Sequence, residues 1–189
     1  MDTHLSLFYG FSFLTAVLAF AFAAYLYLWV KKQSVENVRI IEVSALIKEG
    51  ANTFMRREYG ILVRFAAVAA VLILLFLPSP IWGGNPLPNI EMAVSYLAGT
   101  ILSAIAGKIG ILVATLSNGR TAEAARKGIK PAFLIGFRGG AVMGLLVVGC
   151  SLLGVAAVLM LFDDSSILLG FSFGASFLAL FAKAGGGIF

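Results

Sequence analysis

Charged side chains are scarce in this sequence. Only 12% of its 189 residues are Asp, Glu, Lys or Arg, whereas 60% are hydrophobic, and the mean hydropathy is +1.00. A soluble domain carries about 25% charged and 45–50% apolar residues. The composition therefore excludes an ordinary soluble domain and indicates a membrane protein.

Cysteine and histidine are almost absent. Cys150 and His4 each occur once in the sequence, and Cys150 lies in an apolar run. An intrachain disulfide and a cysteine metal cluster are therefore excluded. The nine acidic residues fall in loops, in an amphipathic segment and near the predicted outer face, so the sequence offers no catalytic or metal-binding carboxylate cluster.

The N-terminus lacks the features of a cleaved signal peptide. It begins Met-Asp-Thr-His, without the basic residues that precede the apolar core of such a peptide, and no small-residue cleavage site follows. We expect the first apolar segment to be retained in the mature protein.

Five segments are apolar enough to cross a bilayer. The first holds no charged residue over 26 positions and would rise about 39 Å as a helix, more than the hydrocarbon core of about 30 Å. We predict an all-α membrane protein with a single membrane domain, 1–189. The predicted spans are 5–30, 61–77, 92–116, 133–162 and 166–189.

Two polar segments interrupt the apolar ones. In residues 35–59, apolar positions recur every three or four residues among charged ones, which predicts an amphipathic helix that runs without a strong breaker into the second span. Residues 117–131 are polar and basic and end at Pro131, and they predict a loop. We expect both segments on the cytoplasmic side.

The distribution of positive charge predicts the orientation. Of the 14 Lys and Arg residues, seven lie between Lys31 and Arg64 and five between Arg120 and Arg138. The N-terminus, the Pro- and Gly-rich segment 78–88 and the link at 163–164 have none. By the positive-inside rule, the N-terminus is outside and the C-terminus is cytoplasmic. The two basic clusters beside apolar spans indicate orientation rather than a nucleic-acid surface, so we expect no nucleic acid as a partner.

The two remaining cations lie within predicted spans. Lys183 is the candidate ion-transport residue, because a lone charge in a span normally faces a polar path or a partner helix. A long Lys or Arg side chain near a span end also reaches the interface by snorkelling, and this alternative applies to Lys183 and to the lower-ranked Lys108 and Arg138. Small residues spaced four apart, such as Gly140 with Gly144 and Gly170 with Gly174, favour close helix packing.

Ordered motifs along the chain resemble membrane-integral pyrophosphatases. These motifs are IKEGA at 47–51, GKIG at 107–110, NGRT at 118–121, ARKG at 125–128, FRGGAVMG at 137–144 and ALFAKAGGGIF at 179–189. They cover nearly the whole chain. The resemblance identifies the chain with the N-terminal portion of this family, up to the triple glycine that precedes the family's pyrophosphate-binding motif.

The resemblance implies an activity for a longer polypeptide. Members of the family work as homodimers that couple hydrolysis of magnesium pyrophosphate to the pumping of protons or sodium ions. The implied partners are lipid, the further spans of the pump, a second copy and pyrophosphate. The implied cofactor, Mg²⁺, would be bound outside this stretch, so we expect the 189 residues alone neither to bind nor to hydrolyse pyrophosphate.

One position departs from the family pattern. Lys183 stands where these pumps usually have an arginine of the ion gate, and lysine keeps the charge but loses the bidentate fork of a guanidinium. The transported ion and any K⁺ dependence stay open at this point. The alternative is a non-enzymatic scaffold, assembly partner or small channel derived from a truncated relative, and a stop codon after Phe189 would favour it. The short N-terminus favours a prokaryotic inner membrane.

Overall fold

The chain folds into long helices. The computed structural model describes residues 3–162 and 164–186, and the side chains of 3–6, 177, 178 and 180–186 lie outside the described part. Within those ranges no strand is present. The helices are α1 (Thr3–Lys31), α2 (Val38–Phe76), α3 (Leu87–Ala125), α4 (Ile129–Leu161) and α5 (Leu168–Gly186), with short 3-10 turns at Ile81–Gly83 and Ser165–Ile167.

Four helices of the described part, α1 to α4, are long and apolar enough to cross a membrane. A shorter apolar helical stretch among the described residues, Ser165–Ser176, comprises the second 3-10 turn and the first part of α5. The all-α membrane architecture is thus confirmed, and the fifth crossing remains a prediction. With 39 residues each, α2 and α3 would rise about 58 Å and therefore exceed the bilayer core.

A side-chain cap starts α2. The Asn37 side chain accepts hydrogen bonds from the backbone N–H groups of Arg39 (2.9 Å) and Ile40 (3.2 Å), which satisfies two donors that the first helical turn leaves free. The helix then continues to Phe76 through Gly50 and Gly60. Residues 38–76 of the predicted segments 35–59 and 61–77 therefore form one helix, as the lack of a strong breaker between the two segments predicts.

Most of the basic segment 117–131 is helical, and the prediction of a loop there was wrong. Helix α3 continues to Ala125, and α4 begins at Ile129. Gly128, with a φ of 132°, makes the turn, because glycine adopts this left-handed backbone without a Cβ penalty. The polar residues of 117–125 suggested a loop, but their backbone continues a helix that is packed against α2 and α4.

Helix α3 lies at the centre of the bundle. It contacts α2, α4 and α5 along its length, while α1 packs mainly on α4. Helix α5 runs parallel to α3, as two hydrogen bonds show. The Ser95 hydroxyl donates to the carbonyl of Ile167, just before α5 (2.9 Å), and the Ser103 hydroxyl donates to the carbonyl of Ala175 (3.0 Å), each 72 positions later in the chain.

Small residues permit this close contact between α3 and α5. A Cβ at Gly170 or Gly174 would collide with the backbone carbonyl of Met92 or Tyr96, so the predicted packing role of this pair is confirmed. Gly140 and Gly144 face open space, with no atom of the described chain within 4 Å of a built Cβ. Their predicted packing role is not fulfilled within this chain.

Candidate functional site

A cavity of about 730 Å³ lies between α3, α4 and α5. Small residues of α3 form one wall, among them Gly107 and Gly110. The polar groups of its lining are the hydroxyls of Ser103, Ser151 and Ser176 and the thiol of Cys150. The cavity is thus mostly apolar with a few polar groups, as is usual for a path or pocket between membrane helices.

The candidate ion-transport residue lies on α5, one of the three helices that line this cavity. Ala175, Ser176 and Ala179 of α5 contribute to the lining. Position 183 follows Ala179 by four residues, about one helical turn. The side chain of Lys183 itself lies outside the described residues.

Lys108 is exposed on α3. Among the described side chains it has no ion-pair partner. It follows Gly107, which lines the cavity, but the lining does not include Lys108. Its exposure agrees with the role of an interfacial cation rather than of a cavity group.

Arg138 has a structural partner. Its guanidinium carbon lies 3.8 Å from the ring centroid of Trp29 on α1, a cation–π contact that joins the start of α4 to the end of α1. The aliphatic part of an arginine covers apolar surface while its head remains polar, which explains why the half-buried side chain is tolerated here.

Glu123 fastens the linker between α1 and α2 to α3. Its carboxylate accepts hydrogen bonds from the backbone N–H groups of Asn37 (3.0 Å) and Glu36 (3.3 Å) and pairs with the Arg126 guanidinium at 2.9 Å. The Asn37 N–H group, aided by Arg126 and Glu36, lowers the pKa of this carboxyl below its usual value. Glu123 is therefore held ionised by groups that favour its charged form.

Arg120 closes the end of α1. Its guanidinium donates to the carbonyl of Leu116 on its own helix (2.9 Å) and to that of Lys31 (3.1 Å). A cation at the C-terminal end of a helix satisfies a free carbonyl and favours the helix dipole. Together with Glu123 and Arg138, it brings the ends of α1 and α3 and the starts of α2 and α4 to one basic end of the bundle.

The described residues do not form a metal site. No group of three or more His, Cys, Asp or Glu side chains in 3–162 and 164–186 is close enough to hold an ion. The buried carboxylate Glu123 has its oxygens taken by backbone N–H groups and Arg126. This donor set does not fit Mg²⁺, which prefers free oxygen ligands in an octahedral arrangement.

Sequence reasoning missed the residues that join α2 to α3. These are Glu123, the Tyr59 hydroxyl, which donates to the carbonyl of Ala104 (2.7 Å), and the Asn89 amide, which donates to the carbonyls of Leu74 (3.1 Å) and Ser79 (2.7 Å). A signal existed for Glu123, because a Glu followed three positions later by Arg126 is a common helical ion pair. Asn89 and Tyr59 have no comparable local pattern.

The long apolar helices, packed through small residues around α3, define a multi-pass α-helical membrane protein. A sequence profile of the Inorganic H⁺ pyrophosphatase family matches residues 17–189. The chain belongs to this family.

Curated relatives match most of the chain. The chain is 39% identical over 176 residues to a K(+)-insensitive pyrophosphate-energized proton pump of Methanosarcina mazei. The matched region covers 93% of this chain and 25% of that protein. It is 38% identical over 180 residues to a putative K(+)-stimulated pyrophosphate-energized sodium pump of Clostridium tetani, covering 95% of this chain and 25% of that protein. The chain thus spans about a quarter of the length of these relatives. Its identity to this proton pump and to this putative sodium pump is almost the same.

Proposed function

We propose that this chain is part of a pyrophosphate-energized ion pump, in which hydrolysis of pyrophosphate drives H⁺ or Na⁺ across the membrane. The observation that supports this most directly is the family match over residues 17–189, together with relatives of both pump classes that align over more than nine-tenths of the chain. In this proposal the hydrolytic groups belong to the remaining three quarters of the polypeptide.

The basic end of the bundle is proposed to face the cytoplasm. Positive residues near span ends are retained on the cytoplasmic side of a membrane. The contacts of Arg120 with Lys31, of Glu123 with the linker and of Arg138 with Trp29 bring the predicted basic segments to the same end of the molecule. The N-terminus is then outside, and the membrane is proposed to be a prokaryotic inner membrane.

Helix α5 is proposed to form one wall of the ion path. Its residues Ala175, Ser176 and Ala179 line the cavity, and position 183 lies one turn further along the same helix. A lysine ammonium there would keep a positive charge in the path without the bidentate geometry of a guanidinium. Lys108 and Arg138 are proposed as interfacial and structural cations.

The other components of the pump are proposals as well. A second copy would complete a homodimer, and further spans would cover the open side of the cavity. Mg²⁺ would be held by carboxylates outside this stretch, because the described carboxylates do not form a site for it. A bound Mg²⁺ would neutralise the charge of pyrophosphate.

The test uses the complete pump polypeptide in inside-out membrane vesicles. We expect pyrophosphate with Mg²⁺ to cause phosphate release and ion uptake, and we expect Lys183→Ala to reduce ion uptake more strongly than phosphate release. Lys108→Ala is the matched control, because it also removes one lysine from an apolar span, and both activities should persist.

Two results would contradict the proposal. If vesicles with the complete polypeptide show neither pyrophosphate-dependent phosphate release nor ion uptake, the chain is not part of a pyrophosphate-energized pump. Equal activities of wild type and Lys183→Ala would remove this residue from the transport path. A separate measurement concerns the 189-residue chain alone, from which we expect no magnesium-dependent phosphate release.

A further inference from the structure

The surface of α2 changes from polar to apolar within two turns. From Phe65 to Leu77 the helix and its cap contain no charged residue, a stretch of 13 positions or about 20 Å. Arg56, Arg57, Glu58 and Arg64 immediately precede it. The boundary between water-compatible and lipid-compatible surface on this helix therefore lies at residues 57–64.

Two arginines at this boundary share the face that points away from α3. Leu62 and Ala66 are buried against the bundle, and Arg64 stands two positions from each of them, about 200° around the helix. Arg57 precedes Arg64 by seven positions, which places both on the same face. Both are exposed, and neither is in an ion pair among the described residues.

The positions of these arginines match the thickness of a bilayer. At the opposite end of α2, the exposed Trp82 packs edge-on against Phe76 with 5.5 Å between ring centroids, as an interfacial aromatic does. From Phe76 to Arg57 the helix rises about 28 Å, close to a hydrocarbon core of about 30 Å. Arg64 lies about 10 Å below Arg57 along the axis.

The direction of helical side chains on α2 favours snorkelling of Arg64 toward the basic end of the bundle. Every Cα–Cβ bond leans toward the helix N-terminus, which for α2 is the basic end. The Arg64 side chain can therefore extend toward Arg57 and the interface, as snorkelling requires.

A gap in the helix surface separates the two arginines. Gly60 lies between them in the sequence, is exposed, and has no atom within 4 Å of a built Cβ. Below the gap, Ile61 and Val68 are 66% and 60% exposed and offer an apolar surface. Two cations on either side of a bare backbone position and next to an apolar strip are complementary to a phospholipid, which has an anionic phosphate and attached acyl chains.

We propose that Arg57, Gly60 and Arg64 form a binding site for the phosphate of an anionic phospholipid in the leaflet at the basic end of the bundle. The acyl chains of that lipid lie along the exposed apolar face of α2 below Arg64. The site is independent of pump activity, because it depends only on the insertion of α2 in a bilayer.

The test compares binding of phosphatidylglycerol and phosphatidylcholine to the full chain in detergent, measured by lipid retention in native mass spectrometry and by titration of the unfolding midpoint. We expect wild type to prefer phosphatidylglycerol, and the double variant Arg57→Gln with Arg64→Gln to lose about fivefold in affinity for each arginine. The control double variant, Arg39→Gln with Lys48→Gln, removes the same charge from the same helix and should keep the preference.

A second pair of variants leaves all charges in place. Gly60→Leu fills the gap between the arginines and should weaken phosphatidylglycerol binding, whereas Gly10→Leu, at an equally open position on α1, should not. The proposal is overturned if the arginine double variant and its control bind phosphatidylglycerol equally. It is also overturned if the wild type binds phosphatidylglycerol and phosphatidylcholine equally. That result is expected if a carboxylate of another helix, rather than a lipid phosphate, pairs with the two arginines.

Discussion

The two flanks of the bundle, α1 with α4 and α2 with α3, differ in the number of polar contacts that join the helices. Between α1 and α4 the buried contacts are mainly apolar and include Ala23, Leu26 and Val142. The polar contacts there are one bond from the Tyr9 hydroxyl to the Leu159 carbonyl (3.3 Å) and the cation–π contact of Arg138 with Trp29. Between α2 and α3, polar side chains bond to backbone groups at three levels, through Asn89 and Tyr59 and through Glu123, which holds the residues just before α2.

The difference corresponds to the environment of each flank. Inside lipid, helices associate through close van der Waals packing of small side chains, because burial from lipid gives little hydrophobic gain. In the polar half of α2, water competes with the contacts, and bonds to an ionised carboxylate are among the stronger ones in that setting. The Glu123 contact therefore follows the charge pattern of the chain, whereas Asn89 bonds to the uncharged end of α2.

The flanks also differ in where their apolar surface ends. Leu28 of α1 lies between Leu26, which packs with Val113 of α3, and Val30, which packs with Ala124. Thr53 of α2 lies between Ser44, which contacts Gly119, and Tyr59, which bonds to Ala104. Leu28 is thus nearer the basic end than Thr53, yet its segment is uncharged while the segment around Thr53 is charged.

The sharpest test of this comparison is cysteine labelling in membranes. In a Cys150→Ala background, we expect Thr53→Cys to react almost completely with a water-soluble maleimide and Leu18→Cys, 60% exposed in the middle of the uncharged run of α1, to stay unreactive. The physical reason is that the uncharged run of α1 is surrounded by lipid or protein, whereas the polar half of α2 meets water. Equal reactivity at the two sites would show that the flanks do not differ in environment.

A second test weakens the apolar flank. Leu26→Ala removes a buried side chain, 5% exposed, from the cluster with Val113 and Val142, and should lower the unfolding free energy by about 2 kcal/mol, at the low end for Leu→Ala because the lipid-exposed reference is apolar. Leu28→Ala, 54% exposed on the same helix, is the control and should change little. Unfolding in detergent measures both, and equal effects would contradict the assigned packing.

A third test addresses the ionised carboxylate of Glu123, which holds the residues just before α2 against α3. Glu123→Gln keeps the size of the side chain but removes its charge, and it should destabilise the chain more than Glu42→Gln, whose ion pair with Arg39 is exposed.

The effect of Glu123→Gln should depend on pH. Because the folded-state pKa of Glu123 is lowered, the carboxylate stabilises the fold above its unfolded pKa near 4.5 and loses this contribution as pH falls through the folded value. Unfolding curves of the variant and wild type should therefore converge in acid. A constant difference over that range would exclude ionisation as the cause.

The smallest effect is expected for Tyr59→Phe. The change deletes the hydrogen bond to the Ala104 carbonyl and should cost about 1 kcal/mol of unfolding free energy. Tyr25→Phe, at an exposed position on α1, removes the same hydroxyl without a described bond and serves as the control. If both variants unfold alike, the bond does not contribute to the pairing of α2 with α3.

Much of the fold was predictable from local patterns. The uncharged runs located α1 and α4 to within a few residues, and the periodicity of 35–59 indicated the first half of α2. The loop at 117–131 was mispredicted, because polar residues there suit both a loop and a helix that continues beyond the membrane. Gly174 was recognised as a packing residue from its spacing, but its partner, the Tyr96 carbonyl, depends on the position of α5 beside α3.

The candidate site was predictable only in part. Arg138 was found as a cation near a span end, but its stacking on Trp29 joins residues more than a hundred positions apart, which no local pattern specifies. Lys108 was likewise found, and its exposure emerged from the rotation of α3 against its neighbours.

The sequence by itself determined that this chain is a helical membrane protein, which end is basic and which family it belongs to, because composition, charge placement and motifs are properties of order along the chain. The tertiary structure decided which helices touch, that a cavity opens between α3, α4 and α5, and that Arg57 and Arg64 face away from the bundle. These features depend on how each helix is rotated about its axis and shifted along its neighbours, and that is set by contacts between distant residues.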